Sequence, residues 1–358
     1  MFSDGGAEKT NLLVSEELSK KFDIIFLSNS FSTKFDKEIK RIGIKKMKLV
    51  SPRTITSFFE IKRIIKKLKP DLIFPIQTHA NILVILINLL FFKNKLKIIC
   101  CERLSPQSYN KNFKGKIIIF LAKILYKYAD KIICNSKGLS NEIKEISNSK
   151  NVTHIYNPTL KNNFKKLAYK NKVNEKPFLN KKKKIIISIG RFDENKNQMM
   201  LLKAINNLEN KKDLEVVLLG EGYKKKDLID YSKKVNFRNK LHILGFKKNP
   251  YPYLVKSDLF VLTSNFEGLP NVLIEAMSLG IPIISTNSPS GPKEILLNGK
   301  AGFLIERNDY KSLSCKIKLF IDKPYIFHKK KYFYKKSLKR FSSKKSLYKY
   351  TNVVKKLI

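Results

Sequence analysis

The sequence has 358 residues, of which 43% are hydrophobic, so it is long enough to bury the cores of two domains. Lysine and arginine number 73 against 29 acidic residues, and the formal net charge of +44 predicts attraction to an anionic partner such as nucleic acid, phospholipid headgroups or a phosphorylated substrate. A general compositional bias toward lysine explains the charge equally well at this point.

Composition also excludes several classes of protein. The four cysteines form no CxxC pair and have no matching histidine spacing, which argues against a zinc site, a redox motif and a secreted disulfide framework. The N-terminus lacks a signal-peptide pattern, and the longest apolar stretch, 80–92, is shorter than the ~20 residues of a membrane span. We therefore expect a cytoplasmic protein that is soluble or peripheral to the cytoplasmic face of a membrane.

Two halves of the sequence alternate short apolar runs with amphipathic segments, the pattern of parallel sheets covered by helices. In the first half, strands are predicted at 23–27, 71–75, 97–101, 131–134 and 152–155. Helical apolar spacing predicts helices at 12–18, 61–68, 80–92 and 117–128. In the second half, strands are predicted at 185–189, 215–219, 241–244, 259–262 and 282–285. A polar, lysine-rich stretch separates the halves, and helices are predicted at the end of the chain.

The densest signal for a ligand site is SNFEGLPNVLIEAMSLGIPIIST, at 264–286. A loop after a predicted strand places Glu267 and Gly268 at the end of that strand. A helix is predicted to begin at Pro270 and to end before Gly280.

This predicted helix has two distinct faces. Asn271, Glu275 and Ser278 share the face that points away from the sheet. The face packed on the sheet is predicted to consist of Val272, Leu273, Ala276 and Met277. Glu267 and Glu275 suit a ligand with two hydroxyl-bearing rings, such as a nucleotide sugar, and the N–H groups around Asn271 and Val272 suit its diphosphate. The alternative is a surface glutamate followed by one that offsets the helix dipole.

A second signal is IIISIGRFDENKN, at 185–197. Gly190 ends a predicted strand, Arg191 follows at its carboxyl end, and Lys196 comes just before a helix. Ligands of open α/β sheets bind outside the carboxyl ends of strands, where these two cations are suited to hold two phosphates. The alternative is a pair of solvated cations in a lysine-rich chain.

Weaker signals agree with this placement. Gly5 and Gly6 precede the first helix, where bare backbone can approach a phosphate. His79, Glu102 and Arg103 follow predicted strands at their carboxyl ends. His79 is placed to touch a transferred sugar, although a lone histidine is also a common packing or helix-capping residue.

The sequence contains no D-x-D triplet, no HExxH motif and no Walker loop. We therefore expect no metal and no other cofactor, and we expect protein cations to neutralise a leaving diphosphate.

Together these motifs resemble family 4 of the retaining glycosyltransferases, which have the GT-B fold. The matching strings run in family order over nearly the whole chain: GGAEK, ERLSP, ADKIICNSKGL, IYNP, IGRFDENKN, LLGEG, LGF, SDLFVLTSNFEGLPNVLIEAMSLGIPIIST, and SGPKEIL followed by NGKAGFLI. The resemblance implies that Arg191 and Lys196 hold the diphosphate, that Glu275 holds the ribose, and that Glu267 contacts the transferred sugar. The candidate site comprises Glu267 and His79 as catalytic residues and Gly6, Arg191, Lys196, Gly268, Asn271, Val272 and Glu275 as donor-binding residues.

The fold implied is α/β, with two Rossmann-like domains facing across a cleft. We expect an acceptor-side domain at 1–160, a linker at 161–184, a nucleotide-sugar domain at 185–325 and helices at 326–358 that pack back on the first domain. Family members begin with a hydrophobic strand before the Gly-Gly loop, but only four residues precede Gly5. Because that strand is central in a doubly wound sheet, we expect the natural protein to start upstream with a short apolar run.

The activity implied is metal-independent transfer of a hexose or N-acetylhexosamine, with retention, from a UDP-sugar. The acceptor implied is a glycan or lipid-linked oligosaccharide of surface polysaccharide or lipopolysaccharide biosynthesis. Two alternatives stay open, a nucleotide-sugar epimerase of the same fold and a basic nucleic-acid-binding protein. No RNA- or DNA-binding module is recognisable, so we expect no nucleic-acid partner.

One segment also predicts a membrane partner. NFKGKIIIFLAKILYKY, at 112–128, combines four lysines with a wide apolar face. It is expected to bind an anionic membrane surface, and the alternative is a helix that packs on a sheet with a solvated lysine side.

Overall fold

The structure is a computed structural model that describes residues 5–51, 55–110, 113–160, 163–170, 173–179, 183–209, 213–237 and 240–358. The chain divides into two compact units. The first unit consists of Met1–Pro158 and Ser342–Ile358, and the second consists of Thr159–Phe341.

The first unit contains two parallel sheets. One pairs β1 (Ile25–Ser28) with β2 (Lys45–Lys48). The other has the order β3 (Leu72–Ile73), β4 (Lys97–Glu102), β5 (Lys131–Cys134) and β6 (Val152–His154). The helices are α1 (Gly6–Leu18), α2 (Thr33–Arg41), α3 (Phe58–Leu68), α4 (Thr78–Phe92), α5 (Phe113–Leu125) and α6 (Lys137–Ser147).

All five strands predicted in this half are confirmed within two residues at each end. Strand β2 was not predicted, because its sequence KKMK has neither an apolar run nor an alternating one; its pairing with β1 places it. In the described residues α1 is the first element, and the two sheets are not hydrogen-bonded to each other. Leu27 of β1 and Ile73 of β3 nevertheless line one hydrophobic cluster around Ile61.

The second unit contains one six-stranded parallel sheet. Its strands are β7 (Lys184–Ile189), β8 (Leu214–Leu219), β9 (Leu241–Ile243), β10 (Leu259–Leu262), β11 (Ile283–Thr286) and β12 (Phe303–Ile305). The spatial order is β12-β11-β10-β7-β8-β9, so the chain first builds outward from β7 on one side and then returns to its other side. The topological switch point therefore lies between β7 and β10, where open α/β sheets bind ligands.

Nine helices are described in this unit: α7 (Phe164–Tyr169), α8 (Gln198–Asn206), α9 (Lys225–Lys234), α10 (Tyr251–Val255), α11 (Asn271–Ser278), α12 (Pro292–Ile295), α13 (Tyr310–Asp322), α14 (Pro324–Lys330) and α15 (Tyr334–Leu338). Part of the stretch expected to be a linker is packed on this unit. The α7 side chain of Phe164 is 4% exposed and its ring contacts that of Tyr251 on α10.

The last helix, α16 (Ser343–Lys355), belongs to the first unit. Its residues Tyr350 and Val354 share a buried cluster with Val14 of α1 and Ile99 of β4.

Two buried polar residues lie at the carboxyl end of β4. Arg103 donates from Nη1 to Asn157 Oδ1 and to the Tyr350 hydroxyl, each at 3.0 Å, and from Nη2 to Asn11 Oδ1 at 3.1 Å. It thereby joins α1 and α16 to the strand edge. Glu102 accepts from Thr78 Oγ1 at 3.0 Å, from Asn81 Nδ2 at 2.8 Å and from the Tyr126 hydroxyl.

Replacing Tyr350 by phenylalanine removes one acceptor from the buried Arg103 guanidinium, whose Nε already has no partner. We expect the free energy of unfolding of the first unit to fall by about 1–3 kcal/mol, the usual effect of leaving a buried donor unpaired. Urea unfolding followed by circular dichroism measures this. Tyr348→Phe on the same helix is the control, because Tyr348 is 66% exposed. Equal losses in the two variants would contradict the role of Arg103.

The buried Glu102 carboxyl makes the stability of the protein depend on pH. Burial raises the pKa of Glu102 from 4.5 to about 7, although the hydrogen bonds from Tyr126, Thr78 and Asn81 lower it in part. The folded state therefore holds a proton that the unfolded chain releases between pH 4.5 and 7.

Relative to Glu102→Gln, the wild type is expected to lose roughly 3 kcal/mol of unfolding free energy as pH rises through this range. Its advantage is fully present below pH 4.5 and gone above about 7. Parallel urea titrations of both proteins at several pH values measure the difference. A difference that does not change with pH would contradict the raised pKa.

Candidate functional site

The loops after β7 and β10 meet at the switch point of the second unit and are bonded to each other. Asn195 Nδ2 donates to the Phe266 carbonyl, and Asn195 Oδ1 accepts from the Phe266 N–H, both at 3.0 Å. The Asn265 N–H donates to the Asn195 carbonyl at 2.7 Å. Thr263 Oγ1 donates to the Lys196 carbonyl at 2.8 Å. These bonds fix the backbone next to two charged residues, Lys196 and Glu267.

Lys196 and Glu267, predicted from separate motifs, form an ion pair at this junction. Lys196 Nζ lies 2.5 Å from Glu267 Oε1, and the side chains are 21% and 7% exposed. Each charge thus has a partner that offsets much of the cost of its burial. The pair also presents a cation and a carboxylate within one ligand-sized region.

Arg191 lies nearby in sequence but differs in environment. Its side chain is 72% exposed, and its Nε lies 3.3 Å from Asp193 Oδ2. An exposed pair of this kind contributes little to stability, so the guanidinium can leave it for an anionic ligand at small cost.

Helix α11 begins at Asn271, one residue after the predicted start at Pro270, which is the residue that caps it. Its buried residues are Leu273, Ile274, Ala276 and Met277. Val272, predicted on the packed face, is only half-buried, whereas Ile274, which was not predicted on that face, is buried. Asn271 and Glu275 are half-buried on the other side, and the Tyr251 hydroxyl donates to Glu275 Oε1 at 3.2 Å.

Two glycines allow loops to approach this site closely. A Cβ at Gly291, whose φ is +85°, would lie 2.5 Å from the Gly268 carbonyl oxygen. A Cβ at Gly220, with φ +147°, would lie 1.9 Å from the Gly190 carbonyl oxygen. Only glycine therefore fits at either position.

Buried polar atoms without partners concentrate at the strand ends. In the part of the chain that the structure describes, six buried side-chain polar atoms have no hydrogen-bond partner: Asn81 Oδ1, Arg103 Nε, Asn135 Oδ1, Ser264 Oγ, Asn265 Oδ1 and Ser288 Oγ. Five of the six belong to residues one to three positions beyond the carboxyl end of a strand, and the sixth, Asn81, lies in the first turn of α4. Such atoms are rare in native structures, and they give this part of the molecule hydrogen-bonding capacity. The carboxyl edges of the four-stranded and the six-stranded sheets are thus polar.

The candidate residues of the first unit, His79 and Gly6, lie at the starts of helices α4 and α1. His79 is the second residue of α4, half-buried, and burial lowers its pKa below the ordinary value, so its ring is neutral at pH 7. The preceding Gln77 has φ +82°, a strained value for a residue with a side chain, and Thr78 is held by Glu102. Gly6 opens α1, and its carbonyl accepts from Thr10 Oγ1 at 3.0 Å.

Other features of the described residues bear on the sequence predictions. No cluster of three or more His, Cys, Asp or Glu residues among them could hold a metal ion. All four cysteines are free. Within the described ranges, no helix combines the length and the apolar character needed to cross a bilayer.

Sequence reasoning missed three residues that build the site. Asn195 and Thr263 join the two loops, and Tyr251 contacts Glu275. The asparagine stood inside a motif that was quoted, DENKN, but nothing in one sequence indicates that its side chain bonds a loop 71 positions away. Tyr251 carried no signal at all.

Two family models match this chain. The model "Glycosyltransferase Family 4" matches residues 4–159, and "Glycosyl transferases group 1" matches residues 169–340. The N-acetylgalactosamine-N,N'-diacetylbacillosaminyl-diphospho-undecaprenol 4-alpha-N-acetylgalactosaminyltransferase of Campylobacter jejuni is 30% identical over 89% of this chain and 87% of its own length. An uncharacterised glycosyltransferase of Methanocaldococcus jannaschii is 37% identical over a matched region that covers 66% of this chain and 61% of that protein.

Solved structures agree in fold. Anabaena HepE in complex with UDP-glucose has a TM-score of 0.78 at 16% identity, over 98% of this chain and 96% of that one. Sucrose-phosphate synthase of Thermosynechococcus elongatus has a TM-score of 0.80 at 15% identity, over 99% and 94%. The two-unit architecture of parallel sheets, the two family models in tandem and the near full-length relative lead to one conclusion: the chain is a glycosyltransferase of family 4 with the GT-B fold.

Proposed function

We propose that this enzyme is a retaining transferase that moves a hexose or N-acetylhexosamine from a UDP-sugar to a lipid-linked or glycan acceptor. The observation that carries the proposal is the pair of cross-bonded loops at the switch point, which bring Lys196 and Glu267 within 2.5 Å. In support, the Campylobacter jejuni relative is named for a diphospho-undecaprenol acceptor, and relatives from Erwinia amylovora and Staphylococcus aureus are named for amylovoran and capsular polysaccharide biosynthesis.

The donor's diphosphate is assigned to three groups of the second unit. Lys196 exchanges its contact with Glu267 for a phosphate oxygen, and the exposed Arg191 supplies a second cation. The N–H groups around Asn271 and Val272, with Gly268 beside them, face the same anion at the start of α11. Glu275 accepts from the ribose hydroxyls. In the first unit, the Gly6 backbone is assigned a phosphate contact.

These groups also account for the reaction. Cleavage of the bond between the anomeric carbon and the UDP oxygen leaves negative charge on the diphosphate, which Arg191, Lys196 and the helix start stabilise in place of a metal. The acceptor hydroxyl attacks from the face that UDP leaves, its proton passes to the leaving phosphate oxygen, and the anomeric configuration is retained. Glu267, released from Lys196, and neutral His79 hold hydroxyls of the transferred sugar.

The donor assignment predicts different effects for the two glutamates. Glu275→Ala should weaken UDP binding by about tenfold or more, because a hydrogen bond to a charged group is lost. Glu267→Ala should leave UDP binding within about threefold and lower turnover by about 10². Calorimetry with UDP measures the first, and UDP release with undecaprenyl-diphosphate-linked glycans measures the second.

Glu209→Ala is the matched control, because Glu209 is exposed beyond the end of α8. Excess EDTA is expected to leave the rate unchanged. Incubation with the donor alone should give no altered sugar, whereas a nucleotide-sugar epimerase would release one. Wild-type UDP affinity in Glu275→Ala would contradict the ribose assignment.

The same proposal places the enzyme peripherally on the cytoplasmic face of an anionic membrane, through α5. On one side, the buried Ala122 and Leu125 and the partly buried Ile118 and Leu121 pack in the core of the first unit. A second apolar stripe at helical spacing is exposed: Phe113 at 77%, Ile117 at 42%, Phe120 at 59% and Ile124 at 42%.

Lysines accompany that stripe. Lys116, Lys123 and Lys127 follow the same spacing and are exposed, as is Lys114. A helix that merely covers a sheet needs only the first apolar face; an exposed apolar stripe beside a row of cations is the pattern of an interfacial helix. An anionic membrane would thus be the partner of part of the net charge of +44.

Replacing Phe113 and Phe120 by glutamine should weaken binding to vesicles rich in phosphatidylglycerol by about tenfold or more, since each buried phenylalanine contributes about 1.5–3 kcal/mol. Co-sedimentation measures this, and raising the salt should weaken wild-type binding further. Tyr332→Gln is the control, because Tyr332 is 84% exposed among lysines of the second unit. Equal binding to neutral and anionic vesicles would contradict the proposal.

A further inference from the structure

Tyr251 is held between an aromatic ring and the glutamate assigned to the ribose. Its hydroxyl donates to Glu275 Oε1 at 3.2 Å. Its ring centroid lies 4.5 Å from that of Phe164, with an interplanar angle of 59°. Phe164 is itself 4% exposed. The phenol therefore has little freedom to turn away from the carboxylate.

The backbone around Tyr251 is fixed as well. Its N–H donates to Asn249 Oδ1 at 3.3 Å, and Asn249 Nδ2 donates to the Leu167 carbonyl of α7 at 2.8 Å. Close by, Thr159 Oγ1 donates to Asn271 Oδ1 at 3.1 Å. Thr159 and Phe164 thus support both of the half-buried polar residues of α11, Thr159 contacting Asn271 directly and Phe164 acting on Glu275 through Tyr251.

This support suits a carboxylate that must stay charged and oriented. Burial, and next the Glu275 charge, raise the pKa of Tyr251 above its ordinary value, so the phenol remains a donor at all physiological pH values. A carboxylate can accept about four hydrogen bonds, so the bond from Tyr251 is compatible with bonds from two vicinal hydroxyls. Fixing the carboxylate before binding removes part of the ordering cost of each of those bonds.

We propose that Tyr251 is a positioning residue for the donor ribose, which orients the Glu275 carboxylate toward the two ribose hydroxyls and is itself held by Phe164 from the segment after the first unit. The inference rests on the proposed function of Glu275. It assigns Tyr251 a share in distinguishing ribose from deoxyribose, which a purely structural tyrosine would not have.

The test compares UDP with 2′-deoxy-UDP and 3′-deoxy-UDP by calorimetry on the full chain. Wild type should bind UDP more tightly than the deoxynucleotides. Tyr251→Phe should shrink that preference by about threefold to tenfold, the usual range for one lost hydrogen bond. In Glu275→Ala the preference should vanish, and adding Tyr251→Phe to that variant should change nothing further.

A matched control lies on the same helix. The Tyr253 hydroxyl donates to Glu175 Oε1 at 2.5 Å, and its ring contacts Phe178, so Tyr253→Phe removes an equivalent bond outside the site. It should keep the wild-type preference. Thermal melts of all variants confirm folding, and Phe164→Leu, which loosens the ring but keeps the hydroxyl, should give an intermediate preference.

The outcomes separate the two proposals. A wild-type preference that survives Tyr251→Phe but is lost in Glu275→Ala would overturn the role of Tyr251 and leave the ribose assignment standing. A preference unchanged by Glu275→Ala, or no nucleotide binding by the wild type, would overturn the proposed function and this inference with it.

Discussion

The site of the second unit depends on the bonds between the loops that follow β7 and β10. These strands are neighbours in space but are separated in sequence by β8 and β9, so the loops meet only because the chain reverses its direction of building at β7. Asn195, in the loop after β7, bonds the backbone of Phe266 in the loop after β10 through both polar atoms of its side-chain amide. Together with the bonds from Thr263 and Asn265, this contact keeps Lys196 and Glu267 on two loops of fixed relative position, so that each buried charge has a partner.

The same edge explains why the site is polar without being unstable. The sheet beneath it is buried and apolar: every residue of β8 and β10 is buried. Polar atoms lacking partners are found at the strand ends instead, at Ser264, Asn265 and Ser288. Hydrophobic burial under the sheet supplies the stability, and the polar edge leaves hydrogen-bonding capacity for a ligand. The carboxylate of Glu275 is held there by a neutral phenol, which orients the charge without neutralising it.

In the first unit, polar residues have a different task. Arg103 joins α1, β4, the chain after β6 and α16 through three hydrogen bonds, so a residue that sequence reasoning noted only for its place at a strand end organises distant parts of the chain. Glu102 similarly ties the start of α4 to the end of β4. On the outside of the unit, α5 is apolar on two sides and basic between them. Its inner side packs in the core of the unit, and its outer apolar side is the surface proposed to bind a membrane.

The sequence by itself determined the fold class and most strands, because an alternation of buried apolar runs and amphipathic helices leaves few other architectures. It also indicated Arg191, Lys196 and Glu267, because the loops that follow strands of a parallel sheet collect at one edge whatever the details of packing, and it indicated Glu275 from the outward face of the predicted helix. It did not indicate β2, whose polar sequence becomes a strand only through its pairing with β1. Tertiary structure alone decided that Lys196 pairs with Glu267, that Ile274 rather than Val272 is buried, and that Tyr251 contacts Glu275. The two contacts join side chains that are 71 and 24 positions apart in the sequence. A single sequence has no local pattern that indicates which of its distant side chains will meet.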